Sequence, residues 1–137
     1  MSLAITIDAS VFVNAFSPTE AGSNESLEFI NSARRQGIPM ILPVLILPEI
    51  AAAVARKQNN AELALKLAQE IRMFANITFV GVDDVLADLA VEVAAKYRLR
   101  GSDSIYAAVA LRFGTELVTL DKEQLTRLPK VVTVKSP

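Results

Sequence analysis

Short apolar runs alternate with longer stretches of helical periodicity from one end of the chain to the other. Leu3–Ile7 is apolar and partly β-branched, the pattern of a strand buried on both faces. Ser10–Phe16 follows as one or two helical turns before Ser17-Pro18-Thr19 breaks them. Between Asn24 and Arg35, Leu27, Ile30 and Ala33 recur at helical spacing until Gly37 and Pro39 end the element, and Met40–Leu42 forms a second strand. Pro48 suits an early helical position, which puts Glu49 in the first turn of the alanine-rich helix that follows. Asn59 with Glu62 reads as a capping pair for a helix striped by Leu63, Leu67, Ile71 and Phe74 that ends near Asn76. Thr78–Val82 is a third strand. Asp83 or Asp84 caps a helix with Leu86, Leu89, Val93 and Tyr97 on one face, closed by Arg98-Leu99-Arg100-Gly101. An almost wholly apolar helix runs from after Ser102 to Phe113 and stops at Gly114. Leu117–Leu120 and Val131–Val134 are the last strands, with a short helix over Lys122–Arg127 between them.

Strands alternating with helices predict an α/β fold, a mainly parallel central sheet between helical layers. The length, 137 residues without repeats or linkers, fits a single domain over 1–137. In such sheets ligands gather beyond the carboxyl ends of the strands, where the strand order switches direction. Asp8 and Asp121 each follow a predicted strand, and so fall where that rule places chemistry.

Composition narrows the chemistry. Histidine and cysteine are both absent, which excludes Ser-His-Asp triads, imidazole general bases, cysteine nucleophiles, disulfides and His- or Cys-based zinc sites. The lack of cysteine is also compatible with a reducing cytosol. A net charge of −1 with 52% hydrophobic residues argues against both disorder and a generally basic nucleic-acid binder, so any RNA contact must be local. No signal peptide is expected, and no membrane span, because Pro43 interrupts the most apolar stretch, Met40–Leu47. Within it, Ile41–Leu47 suits either an apolar patch for self-association or a partner, or the core.

Four acids remain to carry function: Asp8 after the first strand, Glu49 in the first turn of a helix, Asp103 at the head of the apolar helix, and Asp121 after the fourth strand. Each has a plain structural alternative, since acids cap helices and favour the positive end of the helix dipole. Together they occupy one type of place in the fold. Carboxylates meeting in one pocket repel each other unless a divalent cation lies among them, and oxygen ligands alone select a hard ion such as Mg2+ or Mn2+. Such an ion can activate water and stabilise charge on a phosphodiester.

IDASVF around Asp8, PEIAAAVAR around Glu49, LRGSDSIYAAVA around Asp103 and LVTLDKEQL around Asp121 together resemble the PIN-domain family, in particular the VapC-type toxins of toxin–antitoxin pairs. The resemblance implies a three-layer α/β/α sandwich with three or four acids around Mg2+ or Mn2+ for endoribonuclease cleavage. It implies metal ligation by Asp8, Glu49, Asp103 and Asp121, support of the metal site from Ser10, and a role for Thr119 as the Thr of the family's T-x-D segment. It further implies an RNA substrate, a small antitoxin partner, a homodimer and a cytoplasmic place of action. Many relatives read T-x-D-x-D-F where this chain has Thr119-Leu120-Asp121-Lys122-Glu123-Gln124, so Asp121 or Glu123 is the fourth acid, with Asp121 favoured.

Arg56-Lys57, and Arg98 with Arg100, are candidates to guide an RNA backbone, or else solvated helix ends. Tyr106 suits a base stack or the core, the latter better in so apolar a helix. Three other readings stand beside the nuclease. One is a catalytically silent PIN-like module that binds protein or RNA. A phospho-accepting receiver domain would need Asp83 and Lys135 as acceptor and lysine, both poorly placed, and a haloacid-dehalogenase-type phosphatase would want Asp where Ser10 stands.

Overall fold

In the computed structural model, which describes residues 3–129 and 131–137, five strands form one sheet in the order β3-β2-β1-β4-β5, and every pairing is parallel. The strands are β1 (Ile5–Ile7), β2 (Met40–Pro43), β3 (Ile77–Val80), β4 (Glu116–Val118) and β5 (Val134–Lys135). The seven helices are α1 (Ala9–Ala15), α2 (Ser23–Arg35), α3 (Ile46–Gln58), α4 (Ala61–Arg72), α5 (Asp84–Tyr97), α6 (Gly101–Phe113) and α7 (Lys122–Arg127). The chain runs outward from β1 through β2 to β3, then crosses to the other side of β1 to lay down β4 and β5. The order therefore reverses between β1 and β4, which is where a parallel sheet opens a crevice at its carboxyl ends.

β1 is central, with β2 on one side and β4 on the other, so Ile5, Thr6 and Ile7 are all buried. Thr6 survives there because its hydroxyl donates to the Ile41 carbonyl at 2.8 Å and meets the Thr115 hydroxyl at 2.6 Å, so no polar atom is stranded. One helical layer is α1 packed against α2 and α3, with α3 against α4; the other is α5 packed against α6, which lies on β1, β2 and β4. An apolar helix with no polar stripe belongs inside, and α6 is buried from Asp103 to Ala110 apart from Ile105. Met40, Leu42, Pro43 and Ile46 are buried too, so the apolar stretch that suited either a patch or the core is mostly core, with Val44 left exposed.

Several predicted details shift. Leu27, assigned to the inner stripe of α2, is exposed, and the inward face is Ser23, Ser26, Ile30 and Ala33. Ser26 is tolerated because its hydroxyl donates to the buried Asn14 side chain at 2.7 Å. The cap of α4 is Asn60, whose side chain accepts from the Leu63 amide; Asn59 instead ends α3 in the left-handed region, a conformation asparagine reaches at little cost. β3 and β4 begin and end one or two residues earlier than their apolar runs, and β5 pairs only at Val134–Lys135, because an edge strand needs no long partner.

Within the closing run Arg98-Leu99-Arg100-Gly101, the residue that ends α5 is Arg98, in a left-handed conformation with φ 53°, while Gly101 opens α6. A side chain in that region costs about 1 kcal/mol. Arg98→Gly is therefore expected to raise stability by about 0.5–1 kcal/mol in urea unfolding, since glycine is the natural residue at this end of a helix.

Candidate active site

β1 delivers Asp8 to the crevice between β1 and β4. Its backbone begins α1, yet its side chain makes no capping bond, so the helix-cap alternative fails for this acid. The carboxylate is buried, and three side chains converge on one of its oxygens. Oδ2 accepts from Thr119 Oγ1 at 2.8 Å, Ser10 Oγ at 2.9 Å and Gln124 Nε2 at 3.4 Å. The two hydroxyls are themselves held: Ser10 Oγ accepts from the Leu120 amide at 3.1 Å, and Thr119 Oγ1 from the Asp121 amide at 3.0 Å. Asp8 is thereby tied across the crevice to the segment that follows β4, and its orientation is set before any ligand arrives.

Asp121 serves two purposes. Its Oδ1 caps α7, accepting from the Glu123 and Gln124 amides at 2.8 and 3.3 Å, while Oδ2 accepts from Arg100 Nη2 at 3.0 Å. Arg100 Nε donates at 3.1 Å to Oδ2 of Asp103, in the first turn of α6. One guanidinium thus bridges two acids. Glu49 reaches the same region from the first turn of α3 and accepts a short hydrogen bond at Oε1 from the Tyr106 hydroxyl. Glu123 turns to Arg127, at 3.4 Å, so Asp121 is the member of that pair joined to the other acids.

The electrostatics tie the four together. Burial holds the Asp8 carboxyl above its usual range against the Thr119, Ser10 and Ala9 donors, with Asp121 adding to the rise. Asp103 is pushed up to about 6 by burial and by the charges of Asp8 and Asp121, with Arg100 opposing. Glu49 is also raised, first by burial and then by Asp8, against the pull of Tyr106. Burial works upward on Asp121 too, but the Glu123 and Gln124 amides and Arg100 outweigh it and hold that group low. Carboxylates whose ionised forms are disfavoured by burial and by each other's charge, with no imidazole or thiolate nearby, suit a hard divalent cation, which would favour those ionised forms. Among the described residues, however, no three acids already form a compact metal cage.

Of the candidate RNA contacts, only Arg100 touches the acids. Lys57 pairs with Glu20 at 2.6 Å, and Arg56 beside it lies about 11 Å along α3 from Glu49. Arg98 lends its carbonyl to Arg127 at 2.5 Å. The receiver-domain pair is dispersed as well: Asp83 caps α5 after the edge strand β3 and pairs with Arg112, and Lys135 pairs with Glu116.

Two residues with a part in the site escaped the sequence reading. Tyr106 is core, as favoured, but it also anchors Glu49. Gln124 is fully buried beside Asp8, and its Oε1 has no partner among the described residues. The signal was present: a polar side chain stands where the T-x-D-x-D-F pattern ends in Phe. Thr119→Val would strip Asp8 of a donor and the Asp121 amide of its acceptor. It is expected to cost about 1–3 kcal/mol in chemical denaturation and to weaken Mn2+ binding about tenfold in calorimetry.

The family model for the PIN domain matches residues 5–131. The chain belongs to the PIN-domain family. No curated protein matches it significantly in direct sequence comparison. Among solved structures, this PIN domain resembles VapBC2 from Rickettsia felis, bound to a DNA fragment from its promoter, at TM-score 0.70 and 14% identity over 98% of this chain and 99% of that one. It resembles Mycobacterium tuberculosis VapC20, a toxin that cleaves the sarcin–ricin loop, at TM-score 0.73 and 17% identity over 86% and 90%. A toxin–antitoxin complex from Klebsiella pneumoniae gives 0.64 and 16% over 96% and 95%. At these identities the likeness is one of fold.

Proposed function

We propose that this PIN domain is the endoribonuclease toxin of a toxin–antitoxin pair, hydrolysing RNA phosphodiester bonds with Mg2+ or Mn2+ held by Asp8, Asp103 and Asp121, and with Glu49 at the edge of the same site. The observation that carries the reading is the buried Asp8 at the switch point, with three donors gathered on one carboxylate oxygen. That arrangement costs stability as an isolated charge and makes sense as a ligand prepared in advance. When bound, the cation would activate water and offset charge developing on the phosphate.

The protein's own residues supply the rest. Ser10 and Thr119 fix Asp8 and couple it to the Asp121 segment. Tyr106 sets the orientation of Glu49. RNA as substrate draws support from the family and from the loop that VapC20 cleaves; an antitoxin partner draws support from the toxin–antitoxin complex that shares the fold. A homodimer acting in the cytoplasm accompanies the reading. No helix among the described residues is long and apolar enough to cross a membrane.

The test is incubation of purified protein with RNA and Mn2+. Cleavage leaving 5′-phosphate and 3′-hydroxyl ends, abolished by a chelator and restored by excess Mn2+, is the expected result; cleavage indifferent to chelation would refute the metal assignment. The silent PIN-like module draws on one observation, the Arg100 bridge between Asp103 and Asp121. Absence of Mn2+ binding in calorimetry would favour it.

A further inference from the structure

Arg100 is oddly placed for a structural residue. It is the N-cap of α6, where a side chain normally accepts a hydrogen bond; Arg can only donate, and it makes no capping bond. A cation there also opposes the positive end of the helix dipole. It stands at the solvent rim of the site: the side chain is 74% exposed, against 13% for each of Asp103 and Asp121. Only the Arg100 side of each pair is exposed, and a lysine would supply the same charge, so charge pairing alone does not explain the choice of residue. What distinguishes it is the fork. Nε faces Asp103 at 3.1 Å and Nη2 faces Asp121 at 3.0 Å, two donors spread over two carboxylates in a manner an ammonium group cannot reproduce. The same pair of donors matches two oxygens of one phosphate.

We infer that Arg100 is a substrate-positioning residue held ready by the acids: it gives up Asp103 and Asp121 when those carboxylates bind a divalent cation, and turns its Nε and Nη2 donors to a phosphate of the bound RNA. The exchange rests on the metal-dependent RNA hydrolysis proposed above. Its logic is charge balance. Without a cation the guanidinium partly offsets two acids that repel each other and Asp8; with one it is surplus positive charge beside the ion, and the polyanion is the partner at hand. Arg100 therefore competes with metal in the free protein and assists substrate in the loaded one.

The test compares wild-type protein with Arg100→Gln and Arg100→Lys, using Mn2+ titration calorimetry without RNA and steady-state kinetics on an RNA substrate. Arg100→Gln removes the competing charge, so Mn2+ is expected to bind about tenfold tighter, while KM for RNA rises about tenfold. Arg100→Lys keeps the charge and loses the fork, so Mn2+ affinity stays within about threefold of wild type and KM still rises. A merely structural bridge would lower the melting temperature without this opposed pair of changes. Unchanged or weaker Mn2+ binding by Arg100→Gln, with Asp103→Asn abolishing binding in the same assay, would overturn the exchange and leave the nuclease reading intact. Absence of Mn2+ binding by wild type and variants alike would overturn both.

Discussion

Asp8→Asn is expected to reduce RNA cleavage by about 10²–10³-fold at saturating Mn2+ while leaving the fold intact. Asparagine has nearly the same shape, and its carbonyl can still accept from Thr119 and Ser10. What disappears is the negative charge that would face the cation. That charge is buried and held above its usual range, so its removal relieves the folded protein. The melting temperature of the variant at pH 7.5 is accordingly expected to equal or exceed that of wild type, which separates lost chemistry from lost structure. Full activity in tag-matched Asp8→Asn protein would remove Asp8 from the mechanism.

The second large effect is in pH. The Asp103 carboxyl is pushed up to about 6 in the fold, against the ordinary 3.8 of an aspartate in the unfolded chain. Below about 4 the group is protonated in both states and makes no difference to stability. Between about 4 and 6 the folded protein holds a proton that the unfolded one has released, so metal-free stability falls as pH rises through this window. The full shift corresponds to about 3 kcal/mol; discounted for solvent around the group it is about 1–2 kcal/mol. Asp8 and Glu49, also raised, act in the same direction, whereas Asp121, held low, contributes stability above the ordinary carboxylate range that is lost as the pH drops through its folded value. Divalent metal should reverse the trend: at one hundred times its dissociation constant, Mn2+ adds about 2.7 kcal/mol and does so only where the acids are ionised. Thermal melts from pH 4.5 to 8, with and without Mn2+, should therefore diverge increasingly above pH 6. Cleavage should lose about tenfold per unit below that value. Parallel melting curves at all pH values would mean that Asp103 does not meet the metal.

The sequence made Asp8 visible because an ionised side chain at the end of a buried strand needs a compensating partner, and Asp121 visible because it repeats that position. The parallel α/β order was legible for the same reason: strands buried on both faces read as unbroken apolar runs. Other features left no such mark. Nothing in Arg98 announces a left-handed residue when Gly101 stands three positions later. Leu27 fits the α2 period as well as Ile30 does, and only the arrival of Asn14 from α1 explains why Ser26 takes the inner place. Periodicity records which face is apolar, not which polar groups will meet there. From sequence Arg100 is either a helix end or an RNA contact, because its bond to Asp121 depends on two segments brought together by the sheet.

The hydrogen bond from Thr119 to Asp8 joins residues 111 positions apart. β1 and β4 are paired neighbours in the sheet, yet β2, β3 and six helices separate them along the chain. Until β4 has joined β1, Asp8 lacks the Thr119 donor, the Asp121 segment and the register that aligns them. A chain cut before residue 119 would keep three of the four acids and lose the contacts that hold Asp8 in place, so the candidate site exists only once the two neighbouring strands most distant in sequence have closed on each other.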